Sequence, residues 1–241
     1  MTTPYYQDDL ITLYHGSCLD VTEWLDADVL ITDPPYGMSF RSNQRTATEK
    51  FDAIAGDNDP GLRDEVLERW RSDPKTLKAN ARAWSNGDGM PGPRPAAMFG
   101  TWSVTRPNHV TNLLVWNKTG AGPGMGDVGA AFGRSHEEIY LIGRWPKPEH
   151  FRRRGSVIST DPSPSALTSK IGHPTPKPVG LMEVLVDATP PGAVIAEPFA
   201  GSGATLLAAR NLGRRVIGVE LEEKYCELIA NRLDQFTFGG I

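Results

Sequence analysis

Val194-Ile195-Ala196-Glu197-Pro198-Phe199-Ala200-Gly201-Ser202-Gly203 reads as a buried strand that runs into a glycine turn opening a helix. The helix follows at once over residues 204–212, rich in alanine and leucine, and stops at Gly213. Glycines at 201 and 203 let backbone come close to a ligand and leave N–H groups free at the helix N-terminus, where a carboxylate or phosphate is held. Further out, a second apolar, β-branched run over 216–219 ends at Glu220, 17 residues after Gly203. An acidic side chain at that distance can accept hydrogen bonds from the two ribose hydroxyls of an adenosine. Strand, glycine turn, helix, strand and acid together describe a nucleotide-type pocket in an alternating α/β domain. A dinucleotide site is disfavoured, because Leu206 stands where the third glycine of G-x-G-x-x-G would be.

The same alternation extends through the chain. Apolar runs at 10–14, 29–32, 96–101, 113–116, 139–142, 194–197 and 216–219 predict seven strands, most of them parallel. Helical stripes fall at Leu181, Val184, Leu185 and Ala188, and at Tyr225, Leu228, Ile229 and Leu233. A third, Leu62, Val66, Leu67 and Trp70, is expected to be capped by Asp59 with Pro60 in its first turn. Segments 41–58, 85–95 and 119–134 look irregular, as substrate loops and lids do. At 241 residues with 39% hydrophobic and 22% charged content, the chain can bury a full core, which excludes a disordered or fibrous protein. It lacks an apolar run of membrane-spanning length and a signal-peptide pattern, so the expected location is cytoplasmic with no membrane partner. Cys18 and Cys226 have no partner spacing, which argues against a disulfide framework or a zinc site.

Chemistry enters at Asp33-Pro34-Pro35-Tyr36, at the end of the strand over 29–32. Two prolines fix φ and remove two N–H donors, so the loop offers carbonyl oxygens with a carboxylate before them and an aromatic ring after them. An exocyclic amine on a base is a poor nucleophile, because its lone pair is delocalised into the ring. Accepting one hydrogen on Asp33 and the other on the Pro34 carbonyl would draw the nitrogen toward tetrahedral geometry, while Tyr36 holds the base by its face.

These two motifs, together with His173-Pro174-Thr175-Pro176-Lys177-Pro178, resemble the amino-specific DNA methyltransferases of the permuted β group. In that family the D-P-P-Y motif precedes F-x-G-x-G, as Asp33 precedes Phe199 here, and the matching stretches 13–37, 113–144 and 173–233 cover over half of the chain. The resemblance implies a Rossmann-like class I methyltransferase fold: one domain over 1–241, a mostly parallel sheet with helices on both faces, a substrate or lid insertion at 41–58 and a short DNA-recognition segment at 145–172. It implies Asp33, Pro34, Pro35 and Tyr36 as catalytic residues and S-adenosylmethionine, with no metal, as cofactor. The implied cofactor pocket comprises Ser17, Cys18, Asp33, Thr175, Lys177, Glu197, Pro198, Phe199, Gly201, Ser202, Gly203 and Glu220, with Glu220 on the ribose and Lys177 on the methionine carboxylate. Where members often carry G-D-C-L-E, this chain has Gly16-Ser17-Cys18-Leu19-Asp20, so the carboxylate that helps place the adenine is missing.

The implied substrate is an amine in double-stranded DNA, with adenine N6 favoured over cytosine N4 because Asp rather than Ser leads the D-P-P-Y motif. The implied setting is prokaryotic or phage-encoded, with room for a homodimer and a cognate restriction endonuclease. A net charge of -4 gives no global attraction to a polyanion, so DNA has to meet a local patch. Arg144, Lys147, Arg152, Arg153 and Arg154, offset by Glu149, sum to +4 over eleven residues and are the candidate. A catalytically inactive Rossmann protein that binds DNA or an adenosine ligand is the competing class, and the intact D-P-P-Y and Glu220 stand against it. His136, Glu137, Trp116, Asn117 and Lys118 look like cleft residues to which the sequence assigns no chemical step.

Overall fold

Alternation along the short apolar runs decides how the sheet is filled. Val29 and Ile31 turn to one face with Ala97, Phe99, Ile195 and Val216, while Leu30 turns to the other with Ala96, Met98, Ala196 and Val219. Strands buried on both faces need helices on both faces, which is the arrangement found.

The computed structural model describes residues 2–37, 57–73, 94–118, 131–145, 148–160 and 171–237. Among them, nine strands form one sheet: β1 (Tyr6–Gln7), β2 (Ile11–His15), β3 (Val29–Thr32), β4 (Ala96–Gly100), β5 (Val110–Asn117), β6 (His136–Ile142), β7 (Val157–Ser159), β8 (Val194–Glu197) and β9 (Arg215–Glu220). The sheet order is β1-β2-β9-β8-β3-β4-β6-β5-β7. β2, β9, β8, β3 and β4 run parallel, β6 runs against its neighbours β4 and β5, and β5 and β7 again run with the parallel set.

Helix α1 (Leu62–Ser72) and the 3₁₀ turn Glu23–Asp26 cover one face through Val66, Leu67, Trp70 and Trp24. Helices α2 (Val179–Asp187), α3 (Ala204–Asn211) and α4 (Glu223–Thr237) cover the other through Leu181, Leu185, Leu206, Leu207, Cys226, Ile229 and Leu233. Under α1, Trp24 and Trp70 stack at 6.1 Å, and Arg94 lies 3.3 Å from the centre of the Trp70 ring.

Two sequence expectations are corrected here. The sheet has nine strands where seven were expected, because β1 and β7 are edge pieces of two and three residues that exist only through pairing with β2 and β5. Strands that short carry no periodic pattern of their own. Helix α1 begins at Leu62, capped by Gly61; the Asp59 side chain is used to accept the Gly61 N–H at 2.8 Å and closes a turn before the helix. Of the insertion expected at 41–58, only Asp57 and Asn58 are among the described residues. The loops at 85–95 and 119–134 are described only at 94–95 and 131–134.

The topology itself makes a crevice. β8 leads through α3 to β9 on one side, and β3 leads through α1 to β4 on the other, yet β8 and β3 are direct neighbours. Where the strand order reverses in this way, the carboxyl ends part and leave room for a ligand. Asp33 and Pro198 follow directly on these two strand ends.

Candidate active site

Glu197, the last residue of β8, ties the crevice together. Its carboxyl accepts the Thr32 hydroxyl at 2.7 Å, the Thr205 hydroxyl at 2.8 Å and the Phe199 N–H at 3.2 Å, joining β3, α3 and the glycine turn. Complete burial pushes its pKa up to about 8 in spite of those three donors. The structure therefore makes Glu197 an internal clip beneath the pocket, with both oxygens committed to protein groups.

The glycine turn is shaped by positive φ angles of +52° at Gly201 and +78° at Gly203. A Cβ at Gly203 would stand 2.8 Å from Ile229 Cγ1 in α4, and one at Gly201 would meet His173 Nε2 at 3.3 Å. Gly203→Ala combines left-handed strain with a steric overlap in a packed core. It is expected to cost about 2 kcal/mol and to lower Tm by roughly 4–8 °C for a chain of this size; a thermal melt with an unchanged midpoint would contradict this.

Glu220 closes the turn from the side: its carboxylate accepts the Gly201 N–H at 2.7 Å and the Glu222 N–H at 2.8 Å. Burial raises its pKa, those backbone donors notwithstanding. A carboxylate offers about four lone-pair sites, so two remain for hydroxyl donors. Beside it, Leu221 is exposed and offers an apolar surface to a base.

His173 supports the turn from outside. Its ring packs 4.6 Å from that of Tyr225, and its Nδ1 accepts the Thr175 N–H at 3.3 Å. Burial, with the Lys177 charge adding to it, pulls its pKa down to about 4, so it is a neutral ring near pH 7. Arg232 of α4 donates to the Ser202 carbonyl and completes the bracing.

Across the crevice, Asp33 is held from both sides. The Tyr36 hydroxyl donates to its Oδ1 at 2.7 Å, and the Lys177 ammonium donates to Oδ2. Burial, reinforced by the Asp33 charge, lifts the Tyr36 phenol well above its ordinary range and keeps it a donor. Lys177 reaches further, to Glu137 Oε2 at 3.3 Å, and Glu137 Oε1 takes Lys118 at 2.5 Å. Burial alone would lower the Lys177 pKa, but Asp33 and Glu137 raise it overall. Glu137 is the mirror case: desolvation opposes its charge, and Lys177 and Lys118 win and lower its pKa. The Tyr36 N–H is fixed by Asp57 Oδ1 at 2.9 Å. Gly37 follows at φ +69°, where a Cβ would lie 2.5 Å from Pro60 Cα, so only glycine lets the motif pass Pro60.

Four residues in this cluster had no assigned role in the sequence: Glu137, Lys118, Asp57 and His173. Their signal was weak because the pairings span elements far apart in the chain. Lys177 was expected on a methionine carboxylate; it sits on Asp33 and Glu137, and an ammonium has three donors, so one remains.

The other expected residues are placed as follows. Ser17 Oγ accepts the Leu19 N–H at 3.2 Å at the turn after β2. Cys18 is buried, its thiol pushed up to about 12 chiefly by desolvation, and its carbonyl accepts the Trp24 indole at 2.9 Å, as suits a packed residue. The basic segment lies elsewhere. Arg154 is 3.9 Å from Asp187, the last residue of α2, and His150 is 3.3 Å from the same carboxylate. α2 starts just after Lys177 and runs roughly 14 Å down to Asp187, so the Arg154 side chain reaches toward the amino-terminal ends of the parallel strands. Arg144, just past the end of the reversed strand β6, is at that end too. The structure does not bring Arg144 or Arg154 to the crevice; Lys147 is outside the described residues.

A doubly wound sheet with a glycine turn, an acid on the next strand and D-P-P-Y at the switch point defines the methyltransferase class of α/β proteins. The chain belongs to the N6/N4 DNA methylase family, whose profile matches residues 27–232. It is 26% identical to the type II methyltransferase M2.DpnII of Streptococcus pneumoniae over 97% of this chain and 93% of that one. With YubD of Escherichia coli (strain K12) the identity is 33%, over 82% of this chain and 78% of the relative. Among solved structures, the M1.HpyAVI–SAM complex superposes with a TM-score of 0.55 at 22% identity, covering 92% of this chain and all (100%) of that one. PvuII DNA methyltransferase, described as cytosine-N4-specific, gives 0.57 at 14% identity, covering 96% and 89%. At such identities the two structures speak for the fold.

Proposed function

We propose that this DNA methylase transfers a methyl group from S-adenosylmethionine to the N6 amine of adenine in double-stranded DNA. The observation that carries the reading is Asp33, held between Tyr36 and Lys177 at the switch point, next to a proline carbonyl. The pocket's residues fit the cofactor: the glycine turn is a cradle that a Cβ would fill, Glu220 keeps two lone-pair sites for ribose hydroxyls, and Lys177 keeps a donor for a carboxylate. When bound, S-adenosylmethionine supplies a methyl already activated by its sulfonium.

The chain's own work is positioning. Asp33 has a remaining lone pair on each oxygen for one amine hydrogen, and the Pro34 carbonyl takes the second. The charge that grows on the nitrogen then faces a carboxylate. Tyr36, its hydroxyl tied to Asp33 and its N–H to Asp57, has a fixed ring against which an extruded base can stack. Extrusion costs a few kcal/mol, which stacking and the two amine hydrogen bonds offset. Adenine is preferred to cytosine because the motif opens with Asp, and the relatives named type II methyltransferases support action on a short DNA site.

Incubation with S-adenosylmethionine and unmethylated genomic DNA, followed by digestion and mass spectrometry of the nucleosides, tests this directly. N6-methyladenine is the expected product. N4-methylcytosine would keep the machinery and overturn the base assignment; neither product, with cofactor bound, would overturn the proposal.

A further inference from the structure

Arg144 and Arg154 lie away from the crevice, so other residues meet the DNA around the extruded base. The carboxyl rim has two chain segments that suit it. Thr101 to Val104 follows β4, the direct neighbour of β3, and Ala131 to Ser135 leads into β6, whose Glu137 is part of the Asp33 cluster. Counted from the paired residues Thr32 and Met98, Tyr36 and Trp102 each lie four residues further along the chain. The two segments contain Arg134 and no carboxylate, in a chain whose net charge is -4, while Arg106 further along is paired with Glu138 at 3.3 Å.

On this rim Trp102 is 69% exposed and Phe132 is 92% exposed, the two most exposed large apolar side chains among the described residues. The Arg134 guanidinium lies 5.6 Å from the centre of the Trp102 ring. Such a contact braces one face of an indole and leaves the other to solvent. A bare indole with a cation behind it, beside a base pocket, is poorly explained by packing, since it buries little. It matches what unpaired bases require: a flat aromatic face and a local positive charge against phosphate.

We infer that Trp102, braced by Arg134, is a stacking wedge that contacts the DNA bases left exposed when the target base is drawn to Tyr36. The inference rests on the chain acting on an extruded base, though not on which base that is. The wedge holds the neighbouring stack, while the Asp33 cluster receives the amine.

The test is steady-state methyl transfer to sheared, unmethylated genomic DNA, with separate kinetic constants for DNA and for S-adenosylmethionine. Trp102→Ala is expected to lower kcat/KM for DNA about tenfold or more, as loss of a base-stacking aromatic does, while Trp102→Tyr stays within about twofold of wild type. Trp102→Leu should behave like Ala, because an apolar side chain without a π-face does not replace stacking. KM for S-adenosylmethionine and Tm should not move. Arg134→Gln should reduce the salt dependence of DNA affinity by about one phosphate contact, and Trp102→Ala should leave that slope intact. Wild-type kcat/KM for DNA in Trp102→Ala, or a Leu variant as active as Tyr, would overturn the wedge. A cytosine product would defeat the adenine assignment alone, since the wedge is read from DNA kinetics whichever base is methylated.

Discussion

Asp33→Ala is expected to lower kcat for DNA methylation about 10²–10³-fold, the loss that follows removal of one preorganised group facing developing charge. The affinity for S-adenosylmethionine should be retained, because the glycine turn, Glu220 and Lys177 are untouched. Single-turnover kinetics together with equilibrium cofactor titration separate the two effects. Asp33→Asn is the informative partner: it keeps the size and one acceptor oxygen, and so should recover part of the loss without restoring the charge. Unchanged turnover in the alanine variant would remove Asp33 from the chemistry. Failure of cofactor binding would show instead that the Asp33–Lys177 pair is a structural joint of the pocket.

Lys177→Met carries the second large effect, and it should differ in kind. Lys177 is the hub that touches Asp33 and Glu137, with its side chain only 10% exposed. Removing it leaves two carboxylates without the ammonium that joins them and takes away the candidate partner of a cofactor carboxylate. Both cofactor affinity and kcat should therefore fall, each by about 10- to 100-fold, the range for a lost charge-assisted contact at a partly buried site.

Stability should fall as well, by about 1–3 kcal/mol, less than the full cost of breaking a completely buried pair because Asp33 and Glu137 remain partly open to water. Its pH dependence has a definite sign. Glu137 titrates below its ordinary value in the fold, so the contribution of its lysine partners is complete above the usual glutamate range and is lost as pH falls through the lowered value. The Tm difference between wild type and Lys177→Met should be widest near neutral pH and close below about pH 4, near the ordinary glutamate value. A difference that is constant from pH 7 to pH 3 would mean that Lys177 acts through packing against Phe99, 4.9 Å from its ammonium, and not through charge.

Two features of the site bear on how it is held ready. The carboxyl of Glu197 and the ring of His173 are both kept near neutrality by burial, the one pushed up to about 8 and the other down to about 4. Neither faces the amine. They let the turn over 198–203 be supported by neutral hydrogen bonds and packing, so that the charged groups of the crevice are Asp33, Glu137, Lys118, Lys177 and Glu220. The pairs among them are local, and the members come from the ends of β3 and β5, from β6 and β9, and from the segment that leads into α2.

Local sequence determined a great deal about this protein. Period-two burial, a glycine turn after an apolar run and two prolines after an acid are properties of a few neighbouring residues. They therefore read directly as β3, β8, α3, the glycine turn and the D-P-P-Y loop. The seven strands and most of the helices lie where their patterns put them, since each buries a face that its own residues define. What tertiary structure alone decided is everything that depends on sheet order and on pairs distant in the chain. The edge strands β1 and β7 are made by their partners. Glu137 gains its place only because β6 reverses beside β4, and Lys177 meets Asp33 only because α2 starts at the same rim at which β3 ends, 144 residues earlier. The basic run over 144–154 shows the same limit from the other side. Composition marks it as a place for a polyanion, but the end of reversed β6 and the Asp187 end of α2 draw Arg144 and Arg154 toward the far end of the strands, because a side chain's charge is local information and the direction in which its strand runs is not.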